Sequence, residues 1–254
     1  MFGKVRLQAA GIHLGISLIL AGVAALLVFF VWYPYPYREI SGGRNLFLLV
    51  ILVDVVMGPL LTLAVFSPGK SRRMLRFDLA VIGAFQLAAL GYGLWTVAVA
   101  RPVHLVFEIS RFLVVHAIDV SPELLEKAPS VLRQLPLTGP TLLSVRKFKD
   151  NAEQTDVTMA ALAGLDVGAR PDLWQSYESG KSQILQVVRP LADLKTRFPD
   201  RVGDIDKALS SAIAAGRSPS FVGYVPMIGR GTFWTVLVDA STTEVIAFVP
   251  IDSF

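Results

Sequence analysis

Residues 46–66 read Leu46-Phe-Leu-Leu-Val-Ile-Leu-Val-Asp54-Val-Val-Met-Gly58-Pro59-Leu-Leu-Thr62-Leu-Ala-Val-Phe66, with Asp54 as the only charged side chain. A helix of about 20 residues, rising 1.5 Å per residue, crosses a hydrocarbon core about 30 Å thick. The stretch is therefore read as a membrane span. Two windows of the same kind flank it. One covers about 12–33 and is uncharged; the other covers 79–100, with Gln86 as its only strongly polar side chain. The fold class that follows is an N-terminal three-helix transmembrane bundle over 1–101. A periplasmic α+β domain with an antiparallel sheet follows over 102–254.

The whole-chain composition agrees. Of 254 residues, 53% are apolar and only 17% are charged, and the mean hydropathy is +0.56. Soluble domains carry about 25% charged residues. The basic excess sits in the apolar part: residues 1–100 hold eight Lys/Arg against three Asp/Glu, and the remainder 16 against 17. No folded domain carries a basic surplus, so no nucleic-acid partner is expected. Without cysteine, disulfides, thiolate catalysis and Cys-ligated zinc are excluded.

A cleaved signal peptide is the alternative reading of the first window. Its apolar run exceeds a signal h-region, and Trp32-Tyr-Pro-Tyr-Pro-Tyr37 does not resemble a small-residue cleavage site. Lys4, Arg6, Lys70, Arg72, Arg73 and Arg76 fall on one side of a three-span topology, and only Arg38 and Arg44 on the other. The positive-inside rule then places the N-terminus in the cytoplasm and everything after Arg101 outside, in an inner-membrane protein. The inner basic residues also suit anionic membrane lipid.

The exported part predicts a hairpin over 103–109 and 111–118, a helix opened by Ser121-Pro122, and a short strand over 141–148. Helices follow over 150–163, 190–198 and 200–215, the last closed by Gly216. Strands over 221–225, 232–238 and 244–249 form a closing meander. Residues 164–189 read ambiguously. Ser218-Pro219 is a turn signal. An exposed sheet edge could accept a partner strand, although a sheet with one face covered by the 150–163 and 200–215 helices is the plainer arrangement.

Asp54 carries the strongest functional signal, because a carboxylate deep in the bilayer marks a functional site by default. Asp54, Gly58 and Thr62 share one helix face, and Pro59 removes a helical donor and predicts a kink. Counting residues puts Asp54 level with Tyr92, so Asp54 is expected to keep its proton or to bond Tyr92. A packing clasp, a docking site for a partner helix and proton handling are its three readings. Ser17, Ala21 and Ala25, and likewise Ala80, Ala84 and Ala88, form small-residue faces. Gln86, Ala89, Gly93 and Thr96 form a narrow stripe open to a partner helix or to internal packing.

Enzyme readings find little support. An intramembrane aspartyl dyad needs two close carboxylates, and Asp78 lies about 15 Å or more from Asp54 along the membrane normal. His13, His104 and His116 lack a third ligand partner for a metal site. No cofactor is expected, and no phosphate-binding or hydrolase motif occurs.

Tyr33-Pro-Tyr-Pro-Tyr37, Asp54-x-x-x-Gly58-Pro59-Leu-Leu-Thr62, Phe77-Asp78-Leu-Ala80 with Gln86, Leu90, Tyr92 and Gly93, and Ala100-Arg101-Pro102-Val103 with Phe107 and Arg111-Phe112 form a set. In order and spacing this set resembles the type IV pilin accessory proteins (the TfpX/TfpZ-like family). The likeness is close over about 1–120 and looser beyond, where Phe233-Trp234-Thr-Val-Leu-Val-Asp239 also fits. It implies a bacterial inner-membrane protein without known catalytic activity that supports pilus assembly or dynamics for a cognate type IV pilin. It also marks Asp54, Gly58, Pro59, Arg101 and Pro102 as family-pattern positions. A pilin before assembly presents one long apolar helix and a periplasmic head, which the bundle and the outer domain are suited to hold. A membrane-anchored periplasmic sensor or regulatory subunit is the alternative from a different class. The sequence sets no oligomeric state.

Overall fold

The computed structural model describes residues 2–67, 69–217 and 221–254, with Phe2 by backbone alone. The Ser218-Pro219 turn signal lies outside these. The chain divides into two units, Met1–Arg101 and Pro102–Phe254.

The first unit is built from three helices long and apolar enough to cross a membrane, Gly3–Trp32, Gly43–Val65 and Arg72–Val99. Most of their large apolar side chains face outward, Ile19, Phe30, Leu49 and Phe85 among them, as lipid-facing surfaces do. Inside, Ala24, Val28, Tyr33, Phe47 and Val97 form the core. Ser71 starts the third helix: its Oγ accepts from the Met74 amide at 3.3 Å. Lys70 donates both to the Val65 carbonyl, which ends the second span, and to Asp78 at 2.7 Å.

The second span is not a uniform α-helix. Gly43–Leu52 runs into a wide, π-helical turn at Val53–Met57, and an α-helix resumes at Gly58–Val65. The kink signal of Pro59 thus takes the form of a turn with one surplus residue placed directly before the proline.

The second unit is an α+β domain on one mixed sheet. Its strands are β1 (Pro102–Glu108), β2 (Arg111–His116), β3 (Thr141–Val145), β4 (Trp174–Ser176), β5 (Arg189–Pro190), β6 (Val222–Gly229), β7 (Thr232–Asp239) and β8 (Val245–Val249). The order is β4-β3-β1-β2-β6-β7-β8, with the two residues of β5 laid on β6. The β1–β2 hairpin and the β6–β7–β8 meander are antiparallel, as their short turns dictate. Gly231, at φ +73, supplies the left-handed residue of the tight β6–β7 turn. The sheet is mixed rather than wholly antiparallel because long connections bring β3 beside β1 and β6 beside β2 in parallel.

The helices Asn151–Leu162 and Val202–Ala214 close two cores. Val157 packs with Val106, Leu113, Val115, Leu173 and Trp174. Ile205 and Ala212 pack with Tyr224, Leu237, Ile246 and Val249. Leu113 pairs with Ile228, and Ile228 and Tyr224 are even-spaced along β6, so both cores sit on one sheet face. The ambiguous 164–189 stretch resolves into short 3-10 turns around β4. Tyr177 from it stacks on Phe112 of the opposite face. The β8 edge is not bare, because Arg217 donates to the carbonyls of Val245 and Ile246.

Candidate functional site

Five polar side chains from the three spans line one cavity of about 560 Å³ whose other walls are apolar or glycine. They are His13 and Ser17 on the first span, Asp54 and Thr62 on the second, and Gln86 on the third. The geometry starts at Pro59. In a π-helical turn the carbonyl of residue i accepts from the amide of residue i+5. The donor due to Asp54 would come from residue 59, and proline has none. The Gln86 side chain fills the gap: its Nε2 donates to the Asp54 carbonyl at 3.1 Å. Gly58 makes room for it, since a Cβ at that position would overlap the Gln86 amide.

Asp54 is 7% exposed and lines the cavity. Among the described residues no hydrogen bond or ion pair reaches its carboxyl, and Gln86 Oε1 is buried without a partner. About two turns further, His13 Nδ1 and Thr62 Oγ1 share a 2.5 Å hydrogen bond that ties the first span to the second.

The structure thus brings Asp54, Gly58, Pro59, Thr62 and Gln86 together. It does not bring Tyr92 to them. Tyr92 is 70% exposed and its ring lies 5.8 Å from that of Trp95, so the expected Asp54–Tyr92 bond is not formed. Residue counting gave the two a common depth, but Tyr92 points off the bundle. Gly93 lies further along, where a Cβ would overlap Val50, so this part of the third-span stripe packs within the chain. Ala80, Ala84 and Ala88 face outward. Arg101 caps the third helix by donating to the Ala98 carbonyl at 2.7 Å, and Pro102 opens β1.

His13 is the member that sequence reading assigned no role. Its signal was present: residues 13, 17, 21 and 25 recur at spacing four, so His13 extends the small face of Ser17, Ala21 and Ala25.

The second unit has a smaller cavity of about 330 Å³ where β2 outruns its parallel neighbour β6. His116 Nδ1 bonds Asp119 at 3.0 Å, and Asp119 in turn accepts from Arg230 at 2.9 Å. Burial pushes the Asp119 carboxyl up, but the bonds from His116 and the charge of Arg230 outweigh it and hold the group below its ordinary value. His104, by contrast, bonds Thr141 at 2.8 Å and packs its ring on Trp174, so the two histidines serve separate neighbourhoods. Among the described residues no three His, Asp or Glu side chains converge as metal ligands do.

The profile of the fimbrial assembly protein FimB family matches residues 2–42. The fimbrial assembly protein of serogroup I from Dichelobacter nodosus is 36% identical over 249 residues, covering 97% of this chain and 95% of that protein. The serogroup E1 protein of the same organism is 34% identical over the same coverage. The protein of serogroups C1 and C2 is 40% identical over 122 residues, 48% of this chain and 91% of its own. No solved structure matches the chain. Near full-length similarity at this level, carried through both units, means that the chain belongs to the fimbrial assembly protein family.

Proposed function

We propose that this chain is a non-enzymatic inner-membrane accessory factor that holds a type IV pilin for pilus assembly, with the bundle contacting the pilin helix and the second unit the pilin head. Family membership supports a role in pilus assembly. The distribution of Lys and Arg supports a cytoplasmic N-terminus and a periplasmic second unit. The observation that carries the binding role is the cavity between the spans. It is mostly apolar, it has room for foreign side chains, and it holds a carboxylate that the chain itself leaves unbonded. Structural clasps are normally bonded to something; an open acceptor in lipid is suited to a guest.

Deleting the chain and counting surface pili, alongside purification of the tagged protein from membranes, tests the reading. Loss of pili together with co-purified pilin is the expected result. Normal piliation with no pilin captured would overturn it.

A further inference from the structure

The cavity between the spans has a chemical polarity of its own. Among the described residues the Asp54 carboxyl on its wall has no hydrogen-bond partner within the chain, and its oxygens can accept. One N–H of the Gln86 amide is committed to the Asp54 carbonyl, and His13 Nδ1 and Thr62 Oγ1 are committed to each other. Among the described residues no donor of the groove, the Ser17 hydroxyl included, is bonded to that carboxyl. Its glycines point the same way. Cβ atoms at Gly58 and Gly93 would strike the chain's own side chains, whereas one at Gly83, on the groove wall, would meet nothing within 4 Å. The small residue at 83 therefore leaves space that the bundle does not fill.

We infer that this groove receives the transmembrane helix of the pilin through a hydrogen-bond donor on that helix, seated on the Asp54 carboxyl. The inference rests on the pilin-holding reading above and adds the chemistry of recognition. A buried carboxylate in hydrocarbon gains most from a donor brought to it, and an apolar helix without one would leave it bare. Asp54 is thus a positioning group for the guest rather than a brace for the bundle.

Position 83 is the place for a photo-crosslinking residue, p-benzoylphenylalanine, in the full chain in its native membrane. Crosslinks to pilin are expected. Asp54→Leu should lower their yield about ten-fold or more, the worth of one hydrogen bond to a charged group. Asp54→Glu, which restores the acceptor, should recover most of it. Because no group of the chain bonds this carboxylate, detergent-solubilised Asp54→Leu should melt no lower than the parent. Undiminished crosslinking in Asp54→Leu, or a lowered melting temperature that tracks the lost crosslinks, would overturn the inference. If position 83 captures no pilin while the deletion strain still lacks pili and tagged protein still co-purifies pilin, the groove assignment fails and the pilin-holding reading stands.

Discussion

The Gln86 side-chain amide donates to the backbone carbonyl of Asp54, across from the third span to the second, at 3.1 Å. This one bond joins the proline, the wide turn and the glycine into a single device. Pro59 strips the carbonyl of its helical partner, the turn exposes it, and Gly58 lets the amide approach. Gln86→Leu is expected to lower the stability of the detergent-solubilised bundle by about 1–2 kcal/mol, because the carbonyl is left without a donor. Gly58→Ala should cost a similar amount by displacing the amide. The two changes share one contact, so the double variant should be much less damaged than the sum, which a double-mutant cycle on thermal melting would read.

A second brace sits near the other end of the bundle. Tyr33 is fully buried and its hydroxyl donates to the Val97 carbonyl at 3.1 Å, while Gly43 lies flat against its ring. Tyr33→Phe removes one bond and should cost about 1 kcal/mol. Gly43→Ala forces a methyl into the ring and should cost more, about 1–3 kcal/mol, since the packed ring must shift. Melting of the two variants side by side checks the order.

His104 makes the second unit sensitive to acid. Burial lowers its pKa from 6.5 to about 4. Between those values the unfolded chain binds a proton that the folded chain refuses, so stability is full above pH 6.5 and falls as pH drops toward 4. The loss amounts to about 3 kcal/mol over that window. His104→Gln should flatten this part of the pH–stability curve. An unchanged slope in the variant would mean that other groups set it.

Arg217 guards the outer strand. It donates to the carbonyls of Val245 and Ile246 on β8, which has a single strand neighbour, β7. Exposed strand edges recruit further strands. Arg217→Ala is expected to leave the fold intact and to raise self-association, measurable by light scattering at increasing protein concentration.

Much of this architecture could be read from the residues because it rests on local rules. Apolar length announced the spans, Ser121 announced its helix by capping, and the meander followed from strand runs and turns. The parallel joints of β3 with β1 and β6 with β2 were not legible, since nothing local encodes a pairing across a long connection. In the candidate site, the four-residue spacing of Asp54, Gly58 and Thr62 was readable, and Gln86 was visible as the only strongly polar side chain of its span. The Asp54–Tyr92 pairing failed because residue counting yields depth and not azimuth. The carbonyl–amide bond between the second and third spans needed the π-helical turn, which the sequence signals only as a proline.

The surplus residue in that turn has an evolutionary reading. A π-helical turn takes up about one extra residue within a single revolution, so the helix faces on either side keep their bearing. Thr62 still meets His13 below it, and Val50 still meets Gly93 above it. A lineage that lost Val55 or Val56 would keep both contacts and close the wide turn ahead of Pro59, but Asp54 would swing to a new heading. The insertion therefore lets selection re-aim one carboxylate without disturbing the rest of the bundle.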